Sequence, residues 1–369
     1  MYFIYSENEF EKDFYLHIKQ FGLIFHSLKS EQRDYIIERY NSLYKKRSKI
    51  RNCIVKKGDG SFLFDIKKRR ELQEDEELID LIESMKTNKK TPVFHQNIEK
   101  FLSHILVLEI EISKLGKYID LDDFRIFVHQ FVNFHYIFNF DENYKQNQNL
   151  SLPYSMKSRF IGKKILELND LTDELIIKFL FDFYDQESYG CFYVTNYFND
   201  YLFSIFDFLN MIPSDDVFKF IEILEMYFSN ARLSQNNILN DIQIMESLLI
   251  KKDSNNKEKE FVLKTGIIYK ESKLKKYHSN DDLSVILHYL YDMRSTIIHG
   301  STENIFNCYN NKLVQKIKSI DCPKFEGVSK MKRKVLILSF TERLTYHFLK
   351  IVLIFWIKNN DKIMFLKNN

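Results

Sequence analysis

The stretch LSVILHYLYDMRSTIIHG, residues 283–300, decides how the C-terminal part of this chain folds. Its apolar residues recur every three or four positions, which is the spacing of one buried face of an α-helix: Leu283, Ile286, Leu287, Leu290, Tyr291, Ile297 and Ile298. The polar residues 280–282 can cap that helix with their side-chain oxygens. Gly300 is a candidate C′ residue in the left-handed conformation. The stretch therefore predicts an amphipathic helix that ends near Gly300.

One charged side chain interrupts this apolar face. Arg294 lies four residues after Leu290, where an aliphatic residue is expected. Burying a guanidinium without a partner is costly, so the position indicates an interface, a cleft or an ion pair. Glu246 and Asp292 are the candidate partners, and Asp292 is the poorer one because it lies about 200° around the helix from Arg294. In this purely structural alternative, His299 only caps the helix.

The composition favours a mainly helical protein. With 9 Gly and 4 Pro in 369 residues, the chain lacks the turn residues that sandwiches and Gly-rich α/β folds need. A net charge of +3 excludes a strongly basic, nonspecific nucleic-acid binder. The 4 Cys are far apart without C-x₂-C spacing, which argues against a zinc site or a disulfide framework.

No cofactor or targeting signal is evident in the sequence. It has no P-loop, GxGxxG or HExxH motif, so we expect no cofactor and no metal. The N-terminus lacks the apolar core of a signal peptide, and the longest apolar run, residues 348–357, is too short to span a bilayer. The sequence therefore predicts a cytoplasmic protein without a membrane segment.

The N-terminal region, residues 1–212, is predicted to be mostly helical. Helices are expected at residues 30–49, from Pro92 through residue 112, and at 122–140 and 198–209. The best strand signal is a small β-hairpin near residues 51–66, with its turn in the KKGDGS segment. The Asn- and Gln-rich segment 141–153 marks a sub-boundary.

A basic patch with one aromatic residue follows this polar segment. Such a surface can follow phosphates and stack a base, and it consists of Lys157, Arg159, Phe160, Lys163 and Lys164. The alternative is a solvated helix face. These five residues are candidates for RNA binding.

Pro213 opens the C-terminal region, residues 213–369, which is predicted to be a helical bundle. Besides the helix that ends at Gly300, helices are expected at residues 217–228, 237–250, 260–268 and 331–358. The polar, Lys-rich segment 301–330 is predicted to be a loop.

The run LYDMRSTIIHG resembles the R-x₄₋₆-H signature of HEPN domains, in particular the Apea-like HEPN ribonuclease branch. The upstream segment DIQIMESLL, residues 241–249, is similar to the first helices of that branch. The resemblance covers roughly residue 215 to the C-terminus. It implies a helical bundle that forms a homodimer, in which two R-x₄₋₆-H motifs build one composite site. Arg294 and His299 are the implied catalytic residues.

Three neighbouring residues are candidates for positioning them. Ser295 occupies a place where active relatives often carry Asn, Asp or His. Glu246 could hold Arg294 in place, and Asp292 is a further candidate.

The chemistry suits the two implied catalytic residues. A His transfers protons near neutral pH, and an Arg holds two phosphate oxygens while it stays charged. The resemblance implies metal-independent RNA cleavage by 2′-OH transesterification, which leaves a 2′,3′-cyclic phosphate and a 5′-OH. The helical geometry adds a requirement: residues five apart are separated by about 140° around a regular helix. Arg294 and His299 of one chain can share a face only if the helix unwinds at Gly300, or they must meet across a two-fold axis.

The sequence therefore predicts a HEPN-type endoribonuclease with a role in antiphage defence, abortive infection or toxicity. The N-terminal region would sense a trigger or select RNA, and a trigger or antitoxin protein is a candidate partner. The alternative is a catalytically silent HEPN scaffold that binds RNA, a nucleotide or a protein.

Overall fold

The computed structural model describes a chain of mainly helical architecture that also contains one five-stranded sheet. The described residues are 2–6, 8–52, 54–56, 62–64, 98–120, 123–138, 191–194, 197–229, 234–272, 280–300, 302–317, 325 and 327–369. They divide into two compact units. The sheet unit comprises the described residues within 1–125 and 160–198, and the helical unit those within 126–159 and 199–369.

The sheet unit is built on seven strands: β1 (Tyr2–Ser6), β2 (Tyr15–Ile18), β3 (Leu23–Ser27), β4 (Ile54–Lys56), β5 (Phe62–Phe64), β6 (Ile105–Ile110) and β7 (Cys191–Val194). Five of them form one sheet in the order β2-β3-β6-β1-β7. Its neighbours pair antiparallel except β1 and β7, which are parallel. Phe25 of β3 is paired with Leu108 of β6, and Ile4 of β1 with Leu106.

The central strand β6 corrects one prediction. The segment from Pro92 to residue 112 was expected to be one long helix, but only α2 (Ile98–Leu102) and the short α3 (Ile112–Leu115) are helical within its described part. Between them, residues 105–108 form a continuous apolar run that is fully buried. A strand covered on both faces has no alternation, so its pattern is easily taken for one side of a helix.

Two other predictions for the N-terminal region are confirmed. Helix α1 (Ser30–Asn52) covers the expected helix at 30–49. Strands β4 and β5 pair antiparallel with Ile54 opposite Phe64, which is the expected hairpin. The five-stranded sheet comes in addition to that hairpin.

The helical unit contains nine helices in its described part. They are α4 (Phe124–Asn133, continued by a 3₁₀ turn at Phe134–Phe138), α5 (Phe198–Met211), α6 (Ser214–Phe228), α7 (Ser234–Leu249), α8 (Lys257–Glu271), α9 (Asn280–His299), α10 (Thr302–Cys308), α11 (Lys330–Lys358) and α12 (Asn360–Asn368). The helices predicted at 122–140, 198–209, 217–228, 237–250, 260–268, 283–300 and 331–358 are confirmed.

Helix α11 is the longest helix in the described part of this unit. Its 29 residues extend over about 43 Å at 1.5 Å per residue. Most of its circumference is buried after Ile337, since α7, α8 and α12 all pack against it. Among the described residues, no helix combines the length and the apolar character needed to cross a membrane.

An aromatic cluster ties α4 and α5 into the same core as α6 and α11. The ring of Phe134 lies 6.0 Å from that of Phe220, and Phe208 lies 4.8 Å from Trp356. The compact unit therefore includes described residues on both sides of Pro213. The division into 1–212 and 213–369 stays a prediction about sequence modules, and it does not coincide with the packing units.

Candidate active site

Helix α9 carries the predicted catalytic pair and packs against α7, α8 and α10. The expected apolar residues Leu283, Ile286, Leu287 and Leu290 are all buried. Towards its C-terminal end the face turns away from the core, since Ile298 is 48% exposed. The buried face is completed instead by Tyr289 and Met293, which the sequence pattern did not single out.

Arg294 lies at the edge of this buried face and pairs with Glu246 of α7. Its Nη2 is 3.1 Å from the Glu246 Oε2, and the two side chains are 28% and 15% exposed. The guanidinium also lies 5.8 Å from the ring centre of Tyr291. Burial raises the pKa of Tyr291 to about 12, helped by the negative charge of Glu246. The ion pair is the contact expected both for a structural Arg294 and for one that Glu246 positions.

His299 lies at the other side of the same helix. It is exposed and borders a solvent-open cleft of about 430 Å³, to which Arg294 does not contribute. The other residues that α9 supplies to this cleft are Asp292, Ser295 and Thr296. The structure thus separates the two predicted catalytic side chains of one chain, as the 140° offset on a regular helix requires.

The end of α9 is regular, which corrects the expectation for Gly300. The Gly300 N–H donates to the Thr296 carbonyl at 2.7 Å, so the i→i−4 pattern continues through His299. In the described part of the chain only Gly22 and Gly327 have positive φ, so Gly300 is not a left-handed C′ residue. Gly300 instead allows a close approach of the backbone, because a Cβ at this position would clash with the Thr296 carbonyl oxygen.

Asp292 pairs with Lys312 and not with Arg294. The Lys312 Nζ lies 3.0 Å from the Asp292 Oδ2, and both residues line the cleft. The hydrogen bond to Asp292 and its charge raise the pKa of Lys312, which keeps the ammonium charged. Ser295 lies on the cleft side next to His299 and is exposed.

The elements that form the opposite wall of the cleft were not predicted from the sequence. Residues 301–330 were predicted to be a loop, but the chain forms α10 and then a π-helix at Tyr309–Val314. These elements supply Asn304, Asn307, Cys308, Asn311 and Lys312 to the cleft. A helical signal is present, because the buried residues of this segment recur every three or four positions, at Ile305, Phe306, Tyr309 and Leu313.

The predicted basic patch of Lys157, Arg159, Phe160, Lys163 and Lys164 lies outside the described residues. Within the described ranges, no group of three or more His, Cys, Asp or Glu side chains is arranged to hold a metal ion.

Comparison of the chain with protein-family models, with curated proteins and with solved structures finds no match. The assignment of a function therefore depends on the residues of α9 and their surroundings.

Proposed function

We propose that this chain is a metal-independent endoribonuclease of the HEPN type, with a site assembled from two copies of α9. The observation that carries the proposal is the placement of Arg294 and His299. Glu246 holds the arginine at the edge of the core, and the histidine is exposed at the end of the same helix. Two such helices related by a two-fold axis can bring the arginine of one chain to the histidine of the other.

In the proposed reaction, His299 of one chain removes the proton from a ribose 2′-OH. The 2′-oxygen then attacks the adjacent phosphorus, and the bond from phosphorus to the 5′-oxygen breaks. The leaving 5′-oxygen takes a proton from the protonated His299 of the second chain. The products are a 2′,3′-cyclic phosphate and a 5′-OH.

Arg294 neutralises the charge that develops on the phosphoryl oxygens. Its guanidinium is charged at any physiological pH, and the ion pair with Glu246 limits the orientations it can adopt. The part of the side chain that remains exposed is the part available to phosphate. Glu246 acts here as a positioning residue.

A role in antiphage defence, abortive infection or toxicity belongs to the same proposal. An endoribonuclease of this kind has to be held inactive until a trigger arrives or an antitoxin is lost. The N-terminal region, with its separate sheet unit, is the candidate for sensing the trigger or selecting the RNA.

The test is incubation of the purified full-length protein with total RNA in EDTA. Arg294→Ala and His299→Ala should each abolish cleavage, while His288→Ala, a half-exposed histidine of the same helix, should not. An excess of the His299→Ala variant added to the wild type should suppress cleavage, because a mixed pair retains only one of the two histidines that the proposed reaction uses. Cleavage that survives both substitutions would contradict the site, and a monomer at micromolar concentration in light scattering would contradict its assembly.

A catalytically silent scaffold is the second candidate, and one observation favours it. The ion pair satisfies Arg294 within the chain, as a purely structural arginine requires. Wild-type protein that binds RNA but cleaves none, with or without candidate triggers, would select this alternative.

A further inference from the structure

The cleft between α9 and α10 has the size and the chemistry of a ligand site. Its volume of about 430 Å³ falls in the range of roughly 300–1,000 Å³ that is usual for small-ligand pockets. Its lining includes amide, hydroxyl, imidazole, carboxylate and ammonium groups, and none of the lining residues is Phe, Tyr or Trp. A ligand here is therefore recognised by hydrogen bonds rather than by stacking.

Three of the residues that line the cleft are asparagines. Asn304, Asn307 and Asn311 follow one another at i, i+3 and i+7, and all three line the cleft. The amides of Asn307 and Asn311 each carry two N–H donors and one carbonyl acceptor. The edge of a nucleobase presents the same mixture of donors and acceptors, and asparagine is a usual partner for such an edge. Simple anions are instead bound by cations or backbone N–H groups.

The charge of the cleft is compatible with a polyanion. Asp292 contributes a carboxylate, but Lys312 neutralises it at 3.0 Å. A single strand that enters the cleft therefore meets no unpaired acidic side chain among its lining residues.

The local backbone gives an independent indication of function. The Gln315 N–H donates to the carbonyl of Asn310, five residues earlier, which is the hydrogen bond of a π-helix. π-Helical turns are rare and occur frequently at functional sites. Here the widened turn contains Asn311 and Lys312, two of the cleft residues.

We infer that this cleft seats one nucleobase of single-stranded RNA beside His299, with the amides of Asn307 and Asn311 reading the edge of the base. The inference rests on the proposed ribonuclease function, because His299 at the rim of the cleft is the residue that would act on the neighbouring ribose. It also specifies the substrate class: RNA that is unpaired at the recognised position, with a preference among the bases.

The test measures binding without cleavage. The probes are fluorescein-labelled oligonucleotides of A, C or U with 2′-fluoro sugars, which are single-stranded and lack the 2′-OH nucleophile. Their binding to the full-length wild-type protein is followed by fluorescence anisotropy. We expect one base to be preferred and the double variant Asn307→Ala/Asn311→Ala to weaken that binding by about ten- to a hundredfold, since two hydrogen bonds are lost.

Two further variants test whether the effect on binding is specific to the cleft. Asn210→Ala removes an exposed asparagine from α5 and should leave the binding unchanged. Asn311→Asp replaces the amide donors with acceptors and should change which base is preferred, which general destabilisation would not do. Binding that is insensitive to the base, unaffected by the double substitution or absent in the wild type would overturn the inference.

The two proposals fail in different ways. If no RNA is cleaved but the double variant still loses base-selective binding, the ribonuclease proposal fails and the cleft is a binding site only. If Arg294→Ala and His299→Ala abolish cleavage while the double variant binds and cleaves as the wild type does, only the cleft inference fails.

Discussion

Replacing Glu246 with Gln should destabilise the helical unit and lower RNA cleavage together. The substitution keeps the size of the side chain and removes its charge. Arg294 then remains at the edge of the core with 28% of its side chain exposed and without a countercharge at 3.1 Å. Its guanidinium cannot give up its proton, so the charge has to be tolerated or moved towards solvent.

The structure sets the size of the effect. Two unit charges 3.1 Å apart attract by about 1 kcal/mol in water and by about 5 kcal/mol at an effective dielectric constant near 20. The desolvation of both groups offsets part of the larger value, and the Gln amide retains one hydrogen bond. The expected loss in the free energy of unfolding is about 1–3 kcal/mol, above the value of an exposed ion pair.

Trp356 allows this loss to be measured in the helical unit alone. It is the single Trp of the chain and lies buried in α11, so its fluorescence during urea unfolding reports on this unit. Glu225→Gln, at an exposed position of α6, is the matched control and should change the free energy of unfolding by less than about 0.5 kcal/mol. Cleavage is then compared under conditions in which all variants are fully folded.

Two results would refute this reasoning. A Glu246→Gln protein as stable as its control would show that the ion pair contributes nothing to the fold. A destabilised variant that cleaves RNA at the wild-type rate would show that Glu246 does not position Arg294 for catalysis.

Three further predictions concern the remainder of the fold. Gly300→Ala should destabilise the helical unit by about 1–3 kcal/mol in urea unfolding, because its Cβ would clash with the backbone carbonyl of Thr296. His135 is buried, which lowers its pKa to about 4, so the unfolded chain binds a proton between pH 6.5 and 4 that the folded chain does not. Stability should therefore fall as the pH decreases through this window, on the order of 2 kcal/mol at about pH 5, and His135→Gln should flatten the profile. A fragment of residues 213–369 should expose Trp356, seen as red-shifted fluorescence, because α5 is missing from its core.

The sequence predicted the helical unit well because its helices are long and amphipathic. The 3.6-residue period of α9 located its start and end within a few residues of the observed Asn280–His299. The angular separation of about 200° between Asp292 and Arg294 around that helix also favoured Glu246 as the partner of Arg294. The contacts of both carboxylates agree with that preference.

The sheet and the cleft were missed for two different physical reasons. Strand β6 is buried on both faces, so it has neither the alternation of a half-exposed strand nor the polar face of a surface helix. The segment after Gly300 is short and rich in Asn and Lys, and these residues outweighed its buried apolar positions in the prediction of a loop. Its π-helix depends on packing against α9, which no local pattern encodes.

The regular end of α9 has a consequence for how the activity of the proposed enzyme depends on its concentration. Because Arg294 and His299 diverge within one chain, a lone copy carries only half of the proposed composite site. Far below the dissociation constant of the pair, the fraction of paired chains rises in proportion to the chain concentration, and total turnover rises with its square. A tenfold increase in copy number then yields roughly a hundredfold increase in RNA cleavage. On the proposed arrangement, expression level itself acts as a threshold, before any trigger is sensed.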